Sequence, residues 1–302
     1  MKVLVVGGTG LIGGEIALYL KRTGHDVTLG SRTPTTVPGL ADMPFLQRDY
    51  IKDNRSDGHL KGFDWLVFSA AADILNLPGD GSATPEEFYT RANDEAVPQF
   101  FAAARAAGVR RAVMIGTFYP QVAPRQIGVC PYVTSRHNTD VAVRALSTGQ
   151  FNVCSLNAPF VLGLIKGLEV PYISALAAYA RGNIPGLPVF APNGGTNHIS
   201  AHSLAQSTLS ALEKGESGKA YLVGDENYSW KEYLKLWFEA VGNPLDLEVR
   251  EDDHPMFPNV IMFAGPGATV SYEPDSEDLA VLGYDRHQIQ GLIREIVAAP
   301  AD

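Results

Sequence analysis

Tyr132 and Arg136 stand four residues apart in Pro131-Tyr132-Val133-Thr134-Ser135-Arg136, which puts a phenol and a permanent cation on one face of a helix. A phenol ionises at about pH 10, and a neighbouring cation brings that value toward working pH. Such a phenol can exchange a proton with a substrate oxygen while hydride moves at the adjoining carbon. Thr117 ends the strand-like run Val113-Met114-Ile115-Gly116 and offers a hydroxyl to hold that oxygen, and Asn93 completes the cluster. Alone, Tyr-x-x-x-Arg is as expected of any amphipathic helix start. Its weight comes from the head of the chain.

There the apolar run Val3–Val6 passes directly into Gly7, Gly10 and Gly13, with a helical pattern following and Gly24 placed to end it. A strand, a glycine turn and a helix N-terminus make an anion corner: unpaired N–H groups and the positive dipole end face a phosphate. Glycine lets the backbone approach a pyrophosphate and lets helix and strand pack closely. The spacing is Gly-x-x-Gly-x-x-Gly, and no Gly-Lys-Ser/Thr ending follows, so a dinucleotide is expected rather than a hydrolysed nucleotide. Gly7, Thr9, Gly10, Leu11, Ile12 and Gly13 are the candidate binding residues.

Ligands of such sheets sit beyond the carboxyl ends of the strands. After the second strand comes Leu29-Gly30-Ser31-Arg32, with no acid to select a ribose 2′-hydroxyl. Ser31 and Arg32 could instead hold a 2′-phosphate, favouring NADP(H) over NAD(H); the alternative is a solvated surface Arg. After the third strand, Asp49 could accept from the adenine amino group while the Tyr50 N–H donates to the ring. Asp49 as a turn former and Asp53 as a helix cap are equally good readings. Ser69, Ala70 and Ala71 follow the fourth strand and are small enough for a ribose to lie against the backbone.

Strands are expected at Val3–Val6, Asp26–Leu29, Pro44–Gln47, Trp65–Ser69, Ala112–Gly116 and Asn152–Leu156, with helices over Pro85–Ala107 and Val133–Leu146. This alternation implies an α/β fold, a Rossmann-type doubly wound parallel sheet, over residues 1–157. Residues 158–302 read mainly as a smaller substrate-capping lobe interleaved with the core, to which strands may return. Helices are expected near His202–Lys214, Trp230–Val241 and Asp275–Leu282, with Trp230, Trp237 and Phe238 in the core.

Together these motifs resemble an extended short-chain dehydrogenase/reductase of the NAD(P)-dependent epimerase/dehydratase type. The resemblance rests on Val6–Gly13, Asp49–Asp53, Ala70-Ala71, Asn93, Ile115-Gly116-Thr117, Pro131–Arg136, Pro159–Gly163 and the region around Ile199–Ala205, nearly the whole chain. It implies Tyr132 as acid/base, Thr117 as the oxygen-orienting hydroxyl, and Asn93 as support for the active-site helix and its proton relay. It also implies Arg136 and Pro159 as cofactor contacts. Three positions depart from the family pattern. Arg136 replaces a lysine; it keeps the charge and could bond the nicotinamide ribose, but cannot pass on a proton. Asn157 replaces an arginine, and His202-Ser203 stands where an acidic pair is usual.

The formal charge of −9 and the lack of a basic cluster argue against nucleic acid. No apolar run is long enough to span a membrane. The chain starts in its first strand, so a cytoplasmic protein with no signal peptide is expected. Cys130 and Cys154 make no disulfide framework and no metal-ligand spacing is present, so no metal is expected. Tyr119 could line a pocket or anchor a loop. His137 reads as an exposed helical residue, and His198 and His202 as makers of structural hydrogen bonds. The leading function is an NADP-dependent oxidoreductase interconverting a carbonyl and a secondary alcohol on a fairly apolar small molecule, as a monomer or homodimer. The alternatives are a nucleotide-sugar epimerase or dehydratase and a non-catalytic NADP(H) sensor.

Overall fold

The computed structural model describes residues 1–53, 58–70, 72, 77–79 and 81–299. The first half runs β1 (Lys2–Val6), α1 (Leu11–Arg22), β2 (Asp26–Ser31), β3 (Phe45–Gln47), β4 (Trp65–Phe68), α2 (Pro85–Tyr89) and α3 (Ala96–Ala106). It continues through β5 (Arg111–Thr117), α4 (Tyr119–Val122), α5 (Pro131–Arg144) and β6 (Asn152–Ala158). The second half has β7 (Phe160–Leu162), α6 (Pro171–Ala180), β8 (Ala191–Pro192), β9 (Gly195–Ser200), α7 (Ala201–Lys214) and β10 (Ala220–Leu222). The chain closes with β11 (Glu226–Ser229), α8 (Trp230–Ala240), β12 (Val249–Arg250), α9 (Ser276–Leu282) and α10 (Ile289–Ala298).

Seven strands form one sheet in the order β10-β6-β5-β4-β1-β2-β3, every pairing parallel. Chain order reverses between β1 and β4, so the glycine turn after β1 opens at the switch point where such sheets bind ligands. A parallel sheet is covered on both faces, and the strands are accordingly apolar throughout. Val3, Val5 and Val113 pack with α1 and α7 on one side; Leu4, Met114 and Val153 pack with α3 and α5 on the other. β10 and α7 thus bring residues beyond 157 into the large sheet. A second sheet, β11-β9-β7, and the pair β12-β8 carry the smaller lobe, whose core includes Trp230, Trp237 and Phe238.

The helix expected over Pro85–Ala107 is interrupted. α2 starts at a Thr84 capping box, and a π-helical turn over Thr90–Glu95 then separates it from α3. Pro98 lies in the first turn of α3, has no N–H for the Asp94 carbonyl, and would crowd it in a straight helix. The wide turn absorbs that mismatch. Three helices fall outside the sequence expectations: the single turn α4, α6 and α10. α6 is apolar on nearly every side and shows no clear period, whereas α10 carries a helical stripe of Ile289, Leu292, Ile293 and Ile296.

Candidate active site

The phosphate corner is built by backbone. Gly7 has φ +83°, and its N–H donates to the Gly30 carbonyl oxygen at 2.8 Å, tying the turn to β2. A Cβ on Gly7 would lie 2.8 Å from the Ala70 nitrogen. A Cβ on Gly13 would collide with the Gly7 carbonyl oxygen and with Ser69 Oγ. Gly10 is the N-cap of α1, with no side-chain cap and no acid in the first turn. The first-turn N–H groups, from Leu11, Ile12 and Gly13, are left to an external anion. These features fit the pyrophosphate of a dinucleotide.

Beside this corner, Thr9 Oγ1 donates to Ser31 Oγ at 2.9 Å, and Arg32 is exposed. The neighbouring loop is held against it: Gln47 Nε2 donates to the Arg32 carbonyl oxygen at 3.0 Å, and Arg48 N to that of Ser31 at 2.7 Å. Only the Arg48 backbone meets Ser31, as the β2–β3 register dictates; its guanidinium lies 3.6 Å from Asp53 Oδ2. The Asp49 carboxylate accepts from Ile51 N at 3.0 Å, and Asp53 accepts from Asp49 N at 2.8 Å, the turn geometry weighed above. The Tyr50 side chain, distinct from the N–H expected to face adenine, is half-buried. Burial pushes its phenol up to about 12 against the opposing pull of Arg136 and Arg32, and its ring meets Phe68 edge-on at 5.2 Å. Ser69 Oγ donates to the Val6 carbonyl oxygen at 2.9 Å, Ala70 follows it half-buried, and Ala71 lies outside the described residues.

Asn93 sits fully buried in the π turn and pairs with the Ala72 backbone in both directions, accepting from N at 3.1 Å and donating to O at 3.0 Å. It therefore fixes the segment after β4, where a ribose would rest. Support for α5, expected of Asn93, comes instead from Asp94. Ser135 Oγ donates to Asp94 Oδ1 at 2.6 Å, and Asn138 Nδ2 to Oδ2 at 3.2 Å.

Thr117 closes β5 and Tyr132 opens α5, so both stand at the carboxyl end of the sheet. Arg136, 6% exposed, donates from Nη2 to the Ile115 carbonyl oxygen at 3.2 Å, while its Nε has no partner. Pro159 is buried between β6 and β7. Asn157 Nδ2 donates to Gln121 Oε1 at 2.8 Å and its Oδ1 is unpaired, so the position that is arginine in the family pattern here holds α4. Aromatic rings surround the phenol. Phe263 stacks on Tyr132 with centroids 4.3 Å apart and planes 23° off parallel, and Tyr89 meets it edge-on at 5.7 Å. Tyr119, raised well above the ordinary tyrosine range by burial and secondarily by Tyr132, meets Phe263 edge-on at 5.4 Å. Its Oη donates to the Ile261 carbonyl oxygen at 3.4 Å, anchoring the loop.

The histidines divide. His202 Nδ1 lies 3.0 Å from Glu15 Oε1, joining α7 to α1, and Ser203 Oγ donates to the Asp285 carbonyl oxygen at 2.7 Å. His198 departs in part from its expectation: the ring stacks on Tyr233 at 4.2 Å, and the Thr196 backbone is the one polar group that partly offsets its burial. Burial lowers its pKa to about 3. His137 is half-buried rather than exposed. Cys154 is buried, its thiol pushed up to about 12 by that burial, and Cys130 is half-buried at the N-cap of α5. No helix among the described residues is long and apolar enough to cross a membrane.

Comparison with known proteins gives a consistent frame. Residues 3–224 match the model of the NAD dependent epimerase/dehydratase family. A UDP-glucose 4-epimerase of Corynebacterium glutamicum is 27% identical over 286 residues, covering 82% of this chain and 83% of that protein. A 3-beta-hydroxysteroid dehydrogenase of Mycolicibacterium neoaurum is 30% identical over 115 residues, 37% of this chain and 31% of that protein. In fold, the chain is similar to a UDP-glucose-4-epimerase structure from Stenotrophomonas maltophila with bound NAD and a formylated UDP-arabinopyranose. The TM-score is 0.77 at 19% identity, over 98% of this chain and 97% of the other.

Proposed function

The chain belongs to the NAD dependent epimerase/dehydratase family of extended short-chain dehydrogenases/reductases, and from that premise we propose an NADP-dependent oxidoreductase. It interconverts a carbonyl and a secondary alcohol on a fairly apolar small molecule. The observation that carries this reading is the aromatic surround of Tyr132, made by Phe263, Tyr89 and Tyr119.

Gly7, Thr9, Gly10 and the first turn of α1 would hold the pyrophosphate, and Asn93 would hold the Ala70–Ala72 segment against a ribose. Ser31 and Arg32 would take the 2′-phosphate through charge-assisted bonds. Asp49 and the Tyr50 N–H would face adenine, and Arg136 and Pro159 the nicotinamide end. When bound, the reduced cofactor supplies the hydride, two electrons and one nucleus, to the carbonyl carbon. Tyr132 Oη gives its proton to the carbonyl oxygen as the C=O π bond breaks, and Thr117 orients that oxygen. Arg136 stabilises the resulting phenolate by charge; solvent must return the proton, because a guanidinium does not deprotonate in this range.

A second reading is favoured by the 27% identity to the Corynebacterium glutamicum epimerase: reversible oxidation of a nucleotide sugar with the cofactor regenerated in each turnover. The two separate in one assay. NADPH oxidation with apolar ketones supports the first. Inertness toward every ketone, together with conversion of a UDP-hexose without net cofactor oxidation, supports the second and overturns the first.

A further inference from the structure

The loop carrying Phe263 is fixed on both sides of that residue by side chains from the segment after β5. Tyr119 Oη donates to the Ile261 carbonyl oxygen at 3.4 Å, and Arg125 Nη2 to that of Ala264 at 3.1 Å. The ring is stacked at 4.3 Å on Tyr132 and is itself half-buried, so part of its surface is open beside the acid/base. Behind it stand Phe118, with its ring 4.3 Å from Tyr119, and Tyr272, 6.1 Å from Phe118. An aromatic face attracts another ring in offset or edge geometry, whereas hydroxyl groups laid against it lose water without gaining a partner. The Arg125 guanidinium, which reaches this loop from the segment after β5, is engaged by the Ala264 carbonyl.

We propose that Phe263 is a specificity-determining residue: its ring is the wall on which the reacting end of the substrate packs beside Tyr132. It selects carbonyls attached to a flat aromatic ring over aliphatic or polyhydroxylated ones. This rests on the reductase reading for turnover, but not for binding.

The test compares an aryl alkyl ketone with an acyclic aliphatic ketone of equal size, using NADPH and the full chain. Replacing Phe263 by Leu keeps apolar volume without the aromatic face, and Phe263→Ala removes both. Each should lower kcat/KM for the aryl ketone about five- to tenfold, chiefly through KM, and alter the aliphatic ketone less than about twofold. NADPH affinity should stay at the wild-type value in each variant, while Tm should fall in Phe263→Ala and less in Phe263→Leu. Equal losses for both ketones would overturn the inference and leave the reductase reading intact. If no ketone turns over, calorimetry of the aryl ketone on the NADP⁺ complex decides. Binding that persists in Tyr132→Phe and weakens in Phe263→Leu sustains the inference without the reductase reading; absence of binding overturns it.

Discussion

Arg136 on α5 donates to the Ile115 carbonyl oxygen of β5 at 3.2 Å, which ties the helix that carries Tyr132 to the strand that ends in Thr117. In the proposed mechanism the same guanidinium would supply the charge that favours a phenolate one helical turn away. A lysine could supply the charge as a point but not the planar fork that makes the second contact. We expect Arg136→Lys to keep turnover within about tenfold of wild type, and Arg136→Met to lose about a hundredfold. In the alcohol-oxidising direction, where Tyr132 must be deprotonated, Arg136→Met should also move the rising limb of kcat/KM to higher pH. A pH profile of both variants checks this.

Arg32 stands exposed beside Ser31, with no acid at the end of β2. Arg32→Asp should weaken NADPH binding by about ten- to a hundredfold, the loss of one charge-assisted contact plus repulsion. NADH binding should be unchanged or tighter. Fluorescence titration with the two cofactors reads the ratio directly.

The glycine corner, the strand alternation and the placement of Tyr132 at a helix start were legible because each is a local pattern. The tie of Asp94 to α5 and the stack of Phe263 on Tyr132 were not. Asp94 meets α5 across 41 to 45 residues of chain, and Phe263, read only as part of the capping lobe, arrives from far along an irregular loop. Their roles depend on tertiary placement that no short spacing encodes. His198 is the converse case: a polar residue type read as a hydrogen-bond maker is packed as an aromatic ring.

Asp94 accepts from Ser135, Asn138 and Thr139, all on α5. Asp94→Ala would strand the buried Ser135 hydroxyl, although Ser135 Oγ also lies 3.3 Å from the Tyr89 carbonyl oxygen. We expect about 1–3 kcal/mol of lost stability in urea unfolding. Turnover should fall further than cofactor affinity, since α5 carries Tyr132 while the phosphate corner is elsewhere.

His198 has its folded pKa depressed to about 3 from 6.5 by complete burial. The folded state therefore holds it neutral while the unfolded chain takes a proton below the unfolded value. Its contribution is complete above pH 6.5 and is lost as pH falls toward 3. His198→Phe, which keeps the stack on Tyr233, should reduce the slope of unfolding free energy between pH 6 and 4 by about one proton, roughly 1.4 kcal/mol per pH unit. Urea melts across that range measure it. An unchanged slope would mean the ring is protonated in the folded protein.

The central claim is that Tyr132 passes a proton to a carbonyl oxygen in an NADPH-dependent reduction. The most direct measurement is NADPH oxidation by apolar ketones, wild type against Tyr132→Phe, with NADPH affinity determined for both. The wild type should turn over, Tyr132→Phe should lose about 10²–10⁴-fold, and the two affinities should be equal. Equal rates in the two proteins, or none in the wild type, would contradict it.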